Sequence, residues 1–393
     1  MRFVTDLPKG ILGKPDPIEL WENITSHIPD EVFLTKGVKI LSPACGHATE
    51  ADVIVKRMIN LGISTEEIKD SIYVVDKYKV FTNDARRKGY KNVFKTDFLE
   101  WEPNMKFDVV VGNPPYQGTN KVSDDRQQPK NHNLWTKFIE KSFSELVKND
   151  GYVCFITPDS WMSPSNAVFK LFKEKQLHYV DLNCGSYFDV GSSFTAWIAQ
   201  NTNVTKETSF GSVSVSLKDF PYLPRDLEKT LSIHKKVINY SENKINVKGD
   251  ITCHSSKDIV SKDYSNDFCY PMLHTNAQTR WSKIKSKFYD DIKVMWTLSG
   301  YYKPQINLGN KGFTEVNQAI IIESEEEATA VYSYMNSKLY HFIVNTAKWS
   351  GFLNGKVFGM LPDLGKDKIY NDTDIYKIFN LTDAEIEIVE SYS

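Results

Sequence analysis

Over its first two hundred residues the chain alternates short apolar, β-branched runs with longer amphipathic stretches. "GVKILSPACGHATEADVIVKRMI" reads as strand, turn and helix, while "SIYVVDKY", "KFDVVVGNPPY" and "GYVCFITPD" read as further strands. Helices such as "NLWTKFIEKSFSELVKN" fall between them. Val109, Val110 and Val111 are consecutive, so no side of that strand is polar, as expected of a parallel strand covered on both faces. "KPDPIELWENITSHI" opens a helix, with Asp16 in the N-cap position, Pro17 at the first helical position and Glu19 completing a capping box. This alternation predicts an α/β domain: a Rossmann-like, mixed but mostly parallel sheet with helices on both faces.

Beyond about Asn201 the pattern blurs. "NTNVTKETSFGSVSVS" is polar with no long periodic segment, and short mixed stretches rich in Tyr, Trp and Lys follow. "SEEEATAVYSYMNSKLYHFIVNT" reads as one amphipathic helix with an acidic first turn. A boundary near residues 201 to 212 divides the chain into domains of 1–205 and 206–393, the second a smaller α+β domain.

Composition narrows the class. The 393 residues are 41% hydrophobic and 25% charged, as in an ordinary globular protein. No run reaches the roughly 18 apolar residues of a membrane span, and "MRFVTDLPKGILG" lacks the apolar centre of a signal peptide; a cytoplasmic protein without membrane contact is expected. Five widely scattered cysteines suggest neither a disulfide framework nor a CxxC metal site, so reduced thiols and no metal are expected. A net charge of −2 excludes a protein coated in basic charge, yet a nucleic-acid enzyme needs only a basic cleft.

Candidate chemistry centres on "DVVVGNPPYQG", residues 108 to 118, where a buried strand ends abruptly in a rigid polar corner. Pro114 and Pro115 cannot donate to a ladder, and each drives its predecessor out of the helical region. The corner fixes the Asn113 side chain, the Pro114 carbonyl and the Tyr116 ring at the carboxyl end of a strand, the edge where open α/β sheets bind ligands. With the upstream "PACG" turn, it resembles the class I S-adenosylmethionine-dependent methyltransferases that act on exocyclic amino groups. Within them it is most similar to the adenine-N6 DNA methyltransferases of γ motif order, and the later "TEVNQAIIIE", "YMNSKL" and "WSGFLNGKVFGMLP" resemble the long NPPY enzymes of the Eco57I type.

The resemblance implies that the Asn113 oxygen and the Pro114 carbonyl accept the two hydrogens of a target amino group, with Pro115 stiffening the corner. It implies that Tyr116 stacks on a flipped adenine and that Phe194, in "FDVGSSFTAWIAQN", lies against the same base. For the cofactor it implies contacts from Asp16, Pro17, Ser42, Pro43, Ala44, Cys45, Gly46, Asp76, Asp97, Phe98 and Asn113. Asp76 would accept the ribose hydroxyls, Asp97 the adenine amino group, and Phe98 would flank the adenine. Asp16 replaces the family's Thr, Ser42 stands at its acidic position and Ala48 at its second Gly. The partner implied is double-stranded DNA, with no obligate protein partner inferable.

Two regions bear on DNA from their own residues. "QGTNKVSDDRQQPKNHN", after the corner, is too polar to order itself and is either a surface loop or one that closes over DNA. Arg280, Lys283, Lys285 and Lys287 lie within eight residues among Trp281, Phe288, Tyr301 and Tyr302, which suits phosphate contacts beside stacking surfaces or a solvated helix face. No nuclease carboxylate–lysine cluster is evident, so modification without restriction is expected. The alternatives are a protein-glutamine N5 methyltransferase, whose side-chain amide is a similar planar NH2 group, and a non-catalytic DNA-binding relative.

Overall fold

The computed structural model describes residues 15–116, 133–188, 193–349 and 351–392. The polar loop after the corner and the "VGSS" preceding Phe194 therefore lie, wholly or mostly, outside the described residues. The chain divides into two compact units, one of residues 1–161 and 166–219, the other of 162–165 and 220–393.

The first unit is built on nine strands: β1 (Ile40–Pro43), β2 (Ile72–Asp76), β3 (Asn92–Lys95), β4 (Phe107–Gly112), β5 (Val147–Pro158), β6 (Lys175–Asp181), β7 (Phe194–Asn203), β8 (Thr208–Phe210) and β9 (Val213–Val215). Their order is β3-β2-β1-β4-β5-β7-β6-β8-β9. The first five run parallel, and β7 inserts antiparallel between β5 and β6. β8 and β9 carry the sheet past the boundary expected from the sequence, because short half-polar strands at a sheet edge leave little hydrophobic signal.

Helices α1 (Ile18–Thr25), α2 (Asp30–Leu34), α3 (Thr49–Asn60), α4 (Thr65–Ser71), α5 (Lys79–Arg87), α6 (Leu134–Lys141) and α7 (Ala167–Phe172) accompany the sheet. Leu20, Trp21 and Ile24 of α1 and Ile54 and Met58 of α3 pack with Ile40, Val74, Val109, Val111 and Ile198 on one face. Trp197, the neighbour of Ile198 along β7, points to the other face, where Phe172 of α7 meets it edge-on at 4.8 Å. Both faces are thus covered, which is why Val109, Val110 and Val111 are all fully buried.

The start of α1 differs from the sequence expectation. Pro17, not Asp16, occupies the N-cap position, and no side-chain cap bond forms. Asp16 fails as a cap because its carboxylate is engaged by a residue of the β4 corner.

In the second unit one sheet is ordered β10 (Val260–Ser261), β12 (Gln278–Ser282), β11 (Tyr270–Thr275), β15 (Gly312–Phe313). Another is ordered β14 (Gln305–Asn307), β13 (Ile292–Thr297), β16 (Asn317–Ile322). α8 (Leu227–Ile238) and the C-terminal helices complete an α+β arrangement. The stretch expected as one amphipathic helix is two, α9 (Glu325–Met335) and α10 (Lys338–Thr346). Ser337 divides them because its hydroxyl accepts from the Tyr340 amide and so caps a new helix. No helix among the described residues is long and apolar enough to cross a membrane.

Candidate active site

The strand order reverses at β1, which has β2 on one side and β4 on the other, and the expected site residues cluster at the carboxyl ends of these strands. After β1 the chain turns through Ala44, Gly46 and Ala48, whose φ values are +50°, +51° and +53°. Three left-handed residues within five concentrate strain here, on the order of 1–2 kcal/mol for each alanine. Ala48, at the family's second Gly, therefore keeps the glycine-like backbone without being glycine. A Cβ built on Gly46 would meet nothing within 4 Å, so that backbone borders open space.

Asp76, the last residue of β2, holds this turn. One carboxylate oxygen accepts from the Gly46 amide at 3.0 Å and the other from the Tyr78 amide at 2.7 Å. The residue is 5% exposed, and burial pushes its pKa up against these two hydrogen bonds. Each oxygen retains a lone pair for a further donor, as bidentate recognition of a ribose diol requires.

Ser42, at the family's acidic position, is fully buried, and its hydroxyl donates to Glu50 in the first turn of α3. The sequence reading missed Glu50, since a first-turn Glu ordinarily faces solvent and complements the helix dipole. Here a carboxyl reaches the acidic position through space, and burial pushes its pKa up to about 8. The folded state thus binds a proton that the unfolded state releases above 4.5, so this group costs stability as pH rises from 4.5 to about 8. Glu50→Gln should remove that slope, which can reach about 1.4 kcal/mol per pH unit. The check is thermal or urea unfolding at pH 5 and pH 8, with the variant gaining on wild type at the higher pH.

Asp97 follows β3, and its carboxylate accepts from the Leu99 amide at 3.0 Å, opening a short 3-10 turn. Phe98 turns into the core: Phe138 stacks on it with centroids 4.6 Å apart, and the Lys141 ammonium lies 5.8 Å from its centroid. It therefore stands as buried backing to Asp97 rather than as an open ring face.

The β4 corner closes the cluster. A Cβ on Gly112 would lie 3.1 Å from the Pro43 carbonyl oxygen, so glycine permits the two strand ends to approach. Pro114 is buried, while Asn113, Pro115 and Tyr116 are half-buried. The Asn113 amide nitrogen lies 3.2 Å and 3.3 Å from the two Asp16 oxygens, and the Tyr116 hydroxyl donates to the Asn113 oxygen at 2.9 Å. The Tyr116 and Phe194 rings lie 5.0 Å apart at 30°, with Phe188 edge-on to Phe194 at 5.9 Å. Residues nearly eighty positions apart thus form one aromatic wall beside an amide acceptor. The Leu134 amide donates to the Tyr116 carbonyl at 3.1 Å, so the chain returns to the corner after residues 117–132.

The basic cluster lies in the second unit and is not helical. Arg280 is on β12 and half-buried, and Lys283, Lys285 and Lys287 follow as exposed alternate residues of an irregular segment. Lys285 pairs with Asp290 at 3.0 Å. Lys283 lies over Phe268 at 4.7 Å and Lys287 over Phe288 at 5.2 Å.

Residues 47–194 match the family of Eco57I restriction-modification methylases. The modification methylase CviBIII of Paramecium bursaria Chlorella virus NC1A is 31% identical over 157 residues, covering 39% of this chain and 38% of that protein. An adenine-specific methylase of Mycoplasma pneumoniae, itself uncharacterised, is 33% identical over 135 residues, covering 32% of this chain and 29% of that one. The chain thus spans less than two fifths of the length of these relatives. Among solved structures, the DNA-bound ATP-dependent Type ISP restriction-modification enzyme LlaBIII aligns with 98% of this chain and 40% of its own, at 12% identity and a TM-score of 0.57, a likeness of fold. Over residues 47–194 the chain is thus similar to an Eco57I-type methylase, a kind of enzyme for which S-adenosylmethionine is the implied cofactor. The open backbone at Gly46 and the buried Asp76 carboxylate offer the space and the acceptors that its methionine and ribose portions would need.

Proposed function

We propose that this chain, built around an Eco57I-type methylase module, is a site-specific DNA methyltransferase that methylates the exocyclic N6 of adenine. The observation that carries the reading is the amide oxygen of Asn113 at the β4 edge, with Tyr116 and Phe194 forming an aromatic wall beside it. An adenine inside a duplex cannot reach such a corner; one swung out of the stack can lie on that wall.

S-adenosylmethionine supplies, when bound, an electrophilic methyl group on a sulfonium sulfur. Asp76 would hold the ribose, Asp97 the adenine amino group, and the turn from Pro43 to Gly46 the methionine portion. Glu50 would support that turn through Ser42. The amino nitrogen of the target is a poor nucleophile because its lone pair is delocalised into the ring. The Asn113 oxygen has one lone pair beyond that used by the Tyr116 hydroxyl, and it and the Pro114 carbonyl would accept the two amino hydrogens. This draws the nitrogen toward tetrahedral geometry and aims its lone pair at the methyl carbon, a matter of orientation and charge stabilisation without a covalent intermediate. The methyl carbon would pass to this nitrogen as its bond to sulfur breaks, and the nitrogen would release one proton to solvent. The products are N6-methyladenine and S-adenosylhomocysteine.

The second unit would read the site. Lys283 and Lys287 make no ion pair among the described residues, whereas Lys285 is already neutralised by Asp290. Lys283→Ala and Lys287→Ala should each lower DNA affinity for all sequences and reduce the salt slope by about one unit; Lys285→Ala should change it less. Tyr116→Ala should cut methylation by removing about 1–3 kcal/mol of stacking, with the salt slope unchanged. DNA binding at several salt concentrations checks all four variants. Transfer of labelled methyl from S-adenosylmethionine to duplex DNA, with mass analysis of the nucleosides, tests the function itself.

A further inference from the structure

We propose that Asp16 is a positioning residue for Asn113: its carboxylate grips the amide by the nitrogen, so that the amide oxygen faces the nitrogen to be methylated. This rests on the methyltransferase reading above. An amide has a donor end and an acceptor end that exchange by a half-turn, and only one of the two orientations can accept an amino hydrogen. The Asn113 nitrogen lies within 3.3 Å of both Asp16 oxygens, which leaves its oxygen on the side of Tyr116 and the aromatic wall. In the reversed orientation the amide oxygen would face an ionised carboxylate with no proton between them, and the NH2 would face a group that itself needs acceptors. The carboxylate also polarises the amide toward its oxygen, strengthening the acceptor.

The contact joins residues 97 positions apart and anchors the segment before α1 to the end of β4. The titratable groups facing Asp16 are Tyr116 from the corner, His47 and Glu50 from the β1–α3 connection and helix, and Cys184 from the turn after β6. Burial raises the Asp16 pKa above 3.8, with the Asn113 hydrogen bond and His47 pulling it back. A protonated Asp16 could donate to the amide oxygen and so admit the reversed amide. The ordered corner is thus lost as pH falls through this raised value, and turnover should show an acid limb above that of an ordinary carboxylate.

The near-isosteric Asp16→Asn variant should lower kcat 10- to 100-fold with the cofactor Kd within about threefold of wild type, and should lose the acid limb. The swap Asp16→Asn/Asn113→Asp, which restores one amide–carboxylate bond, should recover activity relative to Asn113→Asp alone. A readout independent of turnover is the side-chain 15N–1H signal of Asn113 in asparagine-labelled full-length protein, assigned by its loss in Asn113→Ala. It should titrate in the wild type with the Asp16 carboxyl and stop titrating in Asp16→Asn. A wild type that methylates no DNA adenine would refute the proposed function while leaving this signal to test the contact. A raised cofactor Kd with unchanged kcat in Asp16→Asn would assign Asp16 to cofactor binding instead, and an Asn113 signal indifferent to pH would overturn the proposal outright.

Discussion

Replacing Asn113 with alanine will abolish methyl transfer while leaving S-adenosylmethionine bound nearly as tightly as in the wild type. The expectation follows from what the side chain touches. Its nitrogen is held by Asp16 and its oxygen receives the Tyr116 hydroxyl, so the amide is oriented by its own surroundings before any ligand arrives. The residues proposed to hold the cofactor hang on other supports: Gly46 on Asp76, Ser42 on Glu50, and Asp97 on the Leu99 amide. Removing a preorganised group that stabilises charge developing in a transition state typically costs on the order of 10²–10³ in kcat. The loss should be at least that, because the variant also leaves Asp16 facing a gap and frees Tyr116. Calorimetry with S-adenosylmethionine beside a single-turnover methylation assay gives both quantities. Equal loss of binding and turnover would mean that the corner belongs to the cofactor.

Asp76→Ala should show the opposite division, with cofactor binding lost first. A charge-assisted hydrogen bond to each ribose hydroxyl is worth roughly 1.5–3 kcal/mol, so binding should weaken by about tenfold to over a hundredfold for each one lost. A further cost is visible without ligand. The Gly46 and Tyr78 amides lose their acceptor, and the strained turn through Ala44, Gly46 and Ala48 loses its tie to β2. A buried amide left without a partner costs about 1–3 kcal/mol, so the variant should unfold at lower temperature even before S-adenosylmethionine is added. Asp76→Asn separates the two effects, since it keeps one acceptor for the turn but gives up the charge. Unchanged affinity in Asp76→Ala would remove Asp76 from the cofactor site and leave it a purely structural residue.

How much of this was legible in the sequence depended on how local each cause is. The Val109–Val111 run announced a strand covered on both faces because burial on two sides removes the polar half of the alternation; all three valines are fully buried, with α1 and α3 on one face. The NPPY corner was legible because two prolines act on their own neighbours. Tyr116 and Phe194 came from resemblance, and the structure sets their rings 5.0 Å apart. Asp16 was misread because capping rules count positions along a helix, and a partner 97 residues away is invisible to them. Glu50 was missed for a related reason: it is buried against Ser42 of β1, the strand its helix follows, and Ser42 alone looked like a lost acid. β8 and β9 are too short to stand out, and the break at Ser337 depends on one hydroxyl within an otherwise continuous helical pattern.

The most direct test is modification-aware sequencing of DNA from a host expressing this protein, beside the same host expressing Asn113→Ala. N6-methyladenine is expected at one short defined motif with the wild type, and unmodified DNA with the variant. Unmodified DNA from cells containing folded, cofactor-binding wild-type protein would contradict this expectation, as would finding the transferred methyl on a protein side-chain amide.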